Sequence, residues 1–590
     1  MVASSRPAAA IAGPRLSLPA ACAVALLLYG LRASATLPDV VGAVSLPDTD
    51  DAMRLVGVRD LLAGQGWFDL IQRRIGSPEG VPMHWSRLVD APIAALVLLF
   101  SPVTGRALAE GLTAALWPAL LFGAYLGLLA TGARRLFGSV PAMLAVIVAA
   151  AVPDLAGVFA PGRVDHHSVQ AILALGVLLA VAWPAAQAGA PDRAGLLGGG
   201  SAGLSLAIGL ETLPFIALAG VVLALEWVRE GDPRRLRDFG AGLAASSAGL
   251  FLVQTSPGSW TVAACDVLAP PVLMLAVGGG LAAVLLTALR LPGGLRLAAT
   301  GTVGLSLLAA VGAAFPHCLA GPYASLPPDL RTYWLDQVTE AMPLLTSLRL
   351  RPASTLGSAG PLLAAALLAS GLAWRDNTHR RAFLVVAAAL WLGLALSCLQ
   401  VRATMVASAV MPLAAGAALA WVWRKLKRDA SRPRIPILVA SFALFAPIWT
   451  APLGLAAAFG RSAPAEDTAA PLACARSIAW LDRFPPTTVL ADADLGAVLL
   501  QRTRHAVVAA PYHRAVAGLQ ASIDAFRGDE EAARAVMRRT GATLFVVCPT
   551  YLATYGPGPT FARALVAGAT VPWLERVENA PLLVWRLVEP

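Results

Sequence analysis

Long apolar runs separated by short arginine-bearing loops dominate this chain. A helix needs about twenty mostly apolar residues to cross the hydrocarbon of a bilayer. Runs of that kind fall near residues 16–36, 109–132, 138–156, 168–187, 194–211, 213–228, 238–254, 268–289, 297–316, 358–374, 382–399, 402–423 and 435–458. The pattern predicts an α-helical polytopic membrane protein with about 13 transmembrane helices. The apolar piece at 91–103 is too short to cross comfortably and reads as interfacial or re-entrant. Before it, Pro47-Asp48-Thr49-Asp50-Asp51 leads into an Ala/Leu/Val pattern with Arg54, Arg59 and Asp60 that suits an amphipathic helix. Aromatic and turn-rich segments around Trp67-Phe68-Asp69 and from Pro78 to Trp85 follow it. Past about Gly460 the runs give way to short β-branched segments at 487–491, 505–510 and 543–548, with helical patterns at 513–527 and 528–540. That alternation predicts a small C-terminal α/β domain, so the chain divides into 1–459 and 460–590.

Composition agrees: 57% of the residues are hydrophobic, 14% are charged, and mean hydropathy is +0.69. A soluble protein carries about a quarter of its residues as charges. The net charge of +10 does not imply nucleic acid, because the arginines sit in short loops where they set topology and meet anionic lipid. With the amino terminus inside, thirteen crossings put the clusters at Arg134/Arg135, 229–237, 290–296, 375–381 and 424–434 all on the inner side. Loops 37–108, 157–167, 255–267 and 317–357, and the tail, then lie outside. The expected setting is a bacterial inner membrane, with a cytoplasmic amino terminus and a periplasmic C-terminal domain. The first run resembles a signal peptide, but a retained helix suits so apolar a chain better. Cys265 with Cys318, and Cys474 with Cys548, can pair if their regions face an oxidising compartment.

Ionisable groups beside a bilayer are expensive, so clusters of them are candidate sites. The outer loops hold Asp48, Asp50 and Asp51; Asp165, His166 and His167; and Glu340. Carboxylate oxygens and an imidazole nitrogen are ordinary ligands of a divalent cation. Arg402, at the start of a late run, is suited to bidentate pairing with a phosphate. Each has a plainer reading. Asp48 or Asp51 can cap the following helix, Glu340 can be a solvated loop acid, and Arg402 can snorkel at a span end. His84, His317 and His513 read as solitary loop histidines, and Asp492 and Asp494 as surface or turn acids.

Taken in order, these segments resemble a family. Asp50-Asp51-Ala52-Met53-Arg54-Leu55 looks like the first-loop acidic motif of the oligosaccharyltransferase catalytic subunits, glycosyltransferases of the GT-C fold. Asp165-His166-His167 is similar to their second-loop motif in its archaeal form, and Val338-Thr339-Glu340 to their short motif ending in glutamate. Arg402 matches the arginine that contacts the lipid-linked donor's phosphates. The resemblance implies a Mn or Mg ion held by Asp50, Asp165, His167 and Glu340, with Asp50, Asp165 and Glu340 catalytic, and Asp48, Asp51 and His166 as further candidates. It also implies a polyprenyl-phosphate- or diphosphate-linked sugar donor, transferred with inversion at the outer face.

One departure matters. Where the family carries Trp-Trp-Asp-Tyr-Gly, which reads the Asn-x-Ser/Thr acceptor, this chain has Val489-Leu490-Ala491-Asp492-Ala493-Asp494-Leu495-Gly496. The expected acceptor is therefore a glycan, lipid or other surface polymer rather than a sequon. Competing readings are a transporter or flippase of lipid-linked sugars, a non-catalytic sugar-binding component, and a polymer ligase that uses no metal. Transporters tend to carry inverted repeats and mid-span polar groups, and neither is evident here.

Overall fold

The computed structural model describes residues 17–183, 193–428, 441–458 and 474–588. The amino-terminal part opens with α1 (Leu18–Ala33), its first turn capped by the Ser17 hydroxyl, and α2 (Leu37–Ala43), bent away from it by 65°. Next comes α3 (Thr49–Leu62), which starts where the Asp48 carboxylate accepts from the Asp50 N–H at 3.0 Å. A two-stranded ribbon follows, β1 (Ile71–Gln72) antiparallel to β2 (Val81–Pro82).

The piece expected to be too short at 91–103 is instead part of α4 (Arg87–Thr104). The helix begins earlier because Arg87 and Asp90 enter it as a buried ion pair at 3.0 Å, and Asp90 also takes Arg54 at 2.8 Å. Paired charges can be buried where single ones are too costly.

The apolar part continues through α5 (Arg106–Phe137), α6 (Ser139–Ala149), α7 (Pro153–Val158), α8 (His167–Ala182), α9 (Arg193–Ile208), α10 (Leu213–Glu230), α11 (Arg234–Gln254), α12 (Pro270–Ala288) and α13 (Gly293–Ala314). Two short helices, α14 (Pro328–Tyr333) and α15 (Leu344–Leu350), precede α16 (Pro352–Arg375) and α17 (Arg380–Ser397). Then come α18 (Ala403–Ser408), α19 (Met411–Arg428) and α20 (Ala446–Ala458). Each expected apolar run carries helix over most of its described length, but 138–156 and 402–423 are each broken into two helices; residues 16, 184–187 and 435–440 lie outside the described residues. Among the described residues, six helices (α4, α5, α12, α13, α16 and α17) are long and apolar enough by themselves to cross a membrane, or seven if α1 and α2 form one broken span. Helices such as α6 and α8 are apolar but shorter, so length and composition do not establish thirteen crossings.

Small residues let the helices approach closely. A Cβ on Gly199 of α9 would run into the Phe239 carbonyl oxygen of α11.

After residue 473 the chain builds a five-stranded sheet in the order β4-β3-β5-β7-β6. Its strands are β3 (Thr488–Leu490), β4 (Ala506–Val507), β5 (Ala542–Val547), β6 (Leu574–Arg576) and β7 (Leu583–Leu587). The parallel pairs β3–β4 and β3–β5 need crossovers. α21 (Ala493–Arg502) supplies the first, and α22 (Val516–Arg527) with α23 (Glu530–Thr540) the second; α24 (Phe561–Val566) follows β5.

The core beneath this sheet is not its own alone. Phe526, Phe545 and Trp585 share one apolar cluster with Met53, Val56, Ile75 and Trp85 of the first loop, and with Leu330 and Trp334. Polar contacts follow the same line: Arg74 donates to the carbonyls of Leu500, Thr503 and His505, and the Tyr512 hydroxyl to that of Thr49. Both cysteine pairs named from the sequence are bridged, Cys265–Cys318 and Cys474–Cys548.

Candidate active site

Between α3, the 163–167 loop and the C-terminal sheet lies a cavity of about 360 Å³. Asp48, Asp50, His166, His167, Glu340 and Arg402 all line it, although they come from four distant stretches of chain. Of the candidate site residues, Asp51 and Asp165 do not line it, and neither does His317.

Asp51 and Asp165 are buried and tie the lining stretches together. Asp51 is fully buried; one of its oxygens accepts from the Val164 and Asp165 N–H groups at 2.7 and 2.9 Å. This ties the first turn of α3 to the second motif. Arg163 closes the junction, reaching Asp48 at 3.0 Å, Asp51 at 3.2 Å and Asp165 at 2.8 Å. Asp165 accepts from the His167 N–H at 3.0 Å and so fixes the start of α8. Burial works against its charge, yet Arg163 and then His167 hold its pKa down at about 2.

His167 Nε2 lies 3.9 Å from a Glu340 oxygen. The Arg402 N–H donates to the Glu340 carbonyl at 3.0 Å, which ties the glutamate loop to the arginine. The Arg402 Nε is buried without a hydrogen-bond partner, which leaves it a donor for an anion.

Glu211 is the residue that the sequence did not mark. It sits in the turn between α9 and α10, lines the cavity, and takes His166 Nε2 at 2.9 Å. Arg54 faces the other ring nitrogen, His166 Nδ1, at 3.5 Å. Arginine only donates, so in the neutral ring Nδ1 is the acceptor and the Nε2–H donates to Glu211. Burial opposes protonation of His166, but Glu211 outweighs it and raises the pKa; the same pairing, against burial, lowers that of Glu211. A lone acid between two apolar runs was the available signal.

The site's chemistry fits a divalent cation. Ligand atoms of His166, His167 and Glu211 lie within 4.8 Å of one another, and Asp50 and Glu340 share the cavity. Asp50 is pushed up to about 8, first by burial and then by Asp48, Glu340 and Asp165. Carboxylates crowded in this way lack positive charge, which a cation supplies.

Two plainer expectations need correcting. His84 and His513 are not solitary: their ring centres lie 4.7 Å apart, and His513 Nε2 pairs with Asp266 at 2.7 Å. Asp492 and Asp494 are not simply surface acids. Asp492 is buried and accepts from the Tyr555 hydroxyl at 2.6 Å, and both line the cavity. A second cavity, of about 660 Å³, shares His166, Glu211 and Arg402 with the first and extends along Phe68, Leu70 and Leu213.

No protein-family model matches the sequence, and no curated protein matches it. Solved structures do match. The Archaeoglobus fulgidus oligosaccharyltransferase in its apo form superposes with a TM-score of 0.63 at 15% identity, over 90% of this chain and 69% of that one. The fold is that of the GT-C oligosaccharyltransferases. The same archaeal enzyme, AglB, in complex with an inhibitory peptide and a dolichol-phosphate, gives a TM-score of 0.63 at 15% identity over 90% and 69% of the two chains. Its complex with Zn and sulfate gives 0.59 at 15% identity over 89% and 67%. The GT-C architecture implied by the motifs is therefore present at an identity too low for overall sequence comparison to reveal.

Proposed function

We propose that this chain is an integral-membrane GT-C glycosyltransferase. It takes a sugar or oligosaccharide from a polyprenyl-phosphate- or diphosphate-linked donor and transfers it to an acceptor at the outer face. One observation carries the reading: four distant stretches of chain bring Asp50, His167, Glu340 and Arg402 to the wall of a single cavity. The oligosaccharyltransferase fold supports it, as does the dolichol-phosphate held by its archaeal neighbour. The two disulfides support an oxidising side for the loops and the C-terminal sheet. The same proposal sets the chain in a bacterial inner membrane with about thirteen spans, a cytoplasmic amino terminus and a periplasmic C-terminal domain.

Asp50, His167 and Glu340 would hold a divalent cation, Mn or Mg, with Glu211 within reach and Asp165 bracing His167. When bound, the ion supplies Lewis acidity and charge neutralisation among the carboxylates. Arg402 receives the donor phosphate and stabilises the charge that builds on it. The bond between the sugar's anomeric carbon and the phosphate oxygen breaks, and its electron pair leaves with the phosphate. The acceptor oxygen bonds to the opposite face of that carbon, giving inversion, and its proton passes to the Asp50 carboxylate.

The test is transfer from a polyprenyl-linked sugar by the purified chain. Asp50→Asn and Glu340→Gln are expected to lower the rate by at least about 100-fold, the scale of losing positioned acid–base or electrostatic groups. Chelator should stop turnover, and Mn or Mg should restore it. Full activity in both variants would overturn the site. Chelator-resistant transfer would favour the metal-independent ligase, and lipid-linked sugar translocation without transfer would favour the flippase.

A further inference from the structure

Part of the cavity wall comes from the stretch just ahead of Glu340, beginning at Tyr333, and from the C-terminal domain. Trp334 lines it, is only 8% exposed, and has an indole N–H with no hydrogen-bond partner. A buried donor left unpaired is costly, so the group is placed for something that enters. Tyr333, Tyr512 and Tyr551 line the same space. Asp494, on the first turn of α21, is exposed and lines the cavity, while its neighbour Asp492 is engaged by Tyr555.

Across the whole cavity six carboxylates (Asp48, Asp50, Glu211, Glu340, Asp492 and Asp494) stand against a single guanidinium, that of Arg402, together with the imidazoles of His84, His166, His167 and His513. Arg402 is taken by the donor phosphate, so an anionic acceptor entering beside it would meet repulsion from the remaining carboxylates. A bulky aliphatic chain would leave the acids and the indole N–H unpaired. A pyranose ring fits both features: its C–H face lies on aromatic rings, its hydroxyls donate to carboxylates, and its oxygens accept from the indole N–H.

Building on the glycosyltransferase reading above, we propose that this wall seats an uncharged sugar of the acceptor. Transfer is then onto a hydroxyl of a neutral glycan, with Trp334 and Asp494 as the residues that recognise it.

The experiment uses the full chain in lipid nanodiscs on a glycan array of neutral and of uronate- or phosphate-bearing saccharides, with an Asn-Val-Thr peptide alongside. Binding of a fluorescent polyprenyl phosphate is measured on the same preparation. Neutral glycans should be captured, and Trp334→Phe and Asp494→Asn should each weaken capture about tenfold, the scale of one lost hydrogen bond. Polyprenyl-phosphate binding should stay unchanged in both. Asp494 is exposed, so its variant tests the idea even if the tryptophan variant fails to fold. Capture confined to anionic glycans or to the peptide overturns the proposal, as does capture that both variants keep. If no glycan is captured while polyprenyl phosphate still binds, the acceptor class falls and the transferase stands. If the wild-type chain does not bind polyprenyl phosphate either, both fall.

Discussion

Arg163 is the side chain on which the most buried charge depends. Its guanidinium holds Asp48, Asp51 and Asp165 together, and the last two are almost completely buried. Removing one partner of a buried ion pair typically costs about 3–5 kcal/mol, because the other charge is left without compensation. Arg163→Met should therefore lower the melting temperature of the detergent-solubilised protein sharply, whereas Asp50→Asn should not. An unchanged melting temperature in Arg163→Met would show that the clamp carries no stability. Asp492 gives a pH signature of its own. Burial lifts its pKa to about 6 despite the Tyr555 hydrogen bond. The folded state then holds its proton more tightly than the unfolded chain, so stability falls as pH rises from about 4 towards 6. Over that window Asp492→Asn should melt at a more nearly constant temperature than the wild type; parallel curves would refute the shift. The motif acids and Arg402 could be read from the chain because like chemistry recurs in short loops between apolar runs. Glu211 offered only its place as a lone acid between two apolar runs, since its partner His166 lies 45 residues away and nothing local links them.

At the scale of elements, the approach of α3 to the second motif turns on Gly162. Its φ is +90°, which side-chain-bearing residues rarely adopt, and an added Cβ would lie 2.9 Å from the Pro47 ring. Its N–H also donates to the Ala114 carbonyl at 2.9 Å, fastening the loop to α5. Gly162→Ala should push the 163–167 loop away from Asp48 and Asp50. A loss of about 1–3 kcal/mol in stability is expected from the strained backbone, with a larger loss of transfer activity than of lipid-linked donor binding. Equal losses of the two would point to general misfolding instead. Helix existence was legible because twenty-residue apolar runs leave little choice in a bilayer. The length of α4 was not, because Arg87 and Asp90 read as loop charges until their mutual pairing, and Asp90's pairing with Arg54, is seen.

At the scale of the whole molecule, the division between a membrane part and a tail, natural from composition, does not describe how the core is shared. Ile75 pairs with Val507 as an extra bridge beside β4, and the N–H groups of Gly76 and Val507 donate across the junction at 2.9 and 2.8 Å. Arg74 fills the end of α21, satisfying carbonyls that the helix leaves unpaired. The sheet thus holds Asp494 and Tyr551 against the cavity through the first loop. Arg74→Met keeps the apolar stem but deletes three hydrogen bonds to main-chain carbonyls, and it lies outside the cavity lining. Its effect should therefore be geometric. Amide hydrogen exchange should rise across 498–508 while the helices from α5 to α13 keep their protection. If acceptor recognition belongs to the sheet and donor phosphate binding to Arg402, the KM for acceptor should rise in this variant more than the KM for donor. A uniform rise in both, or exchange that spreads into the apolar helices, would mean that the first loop and the sheet do not dock as a separable unit.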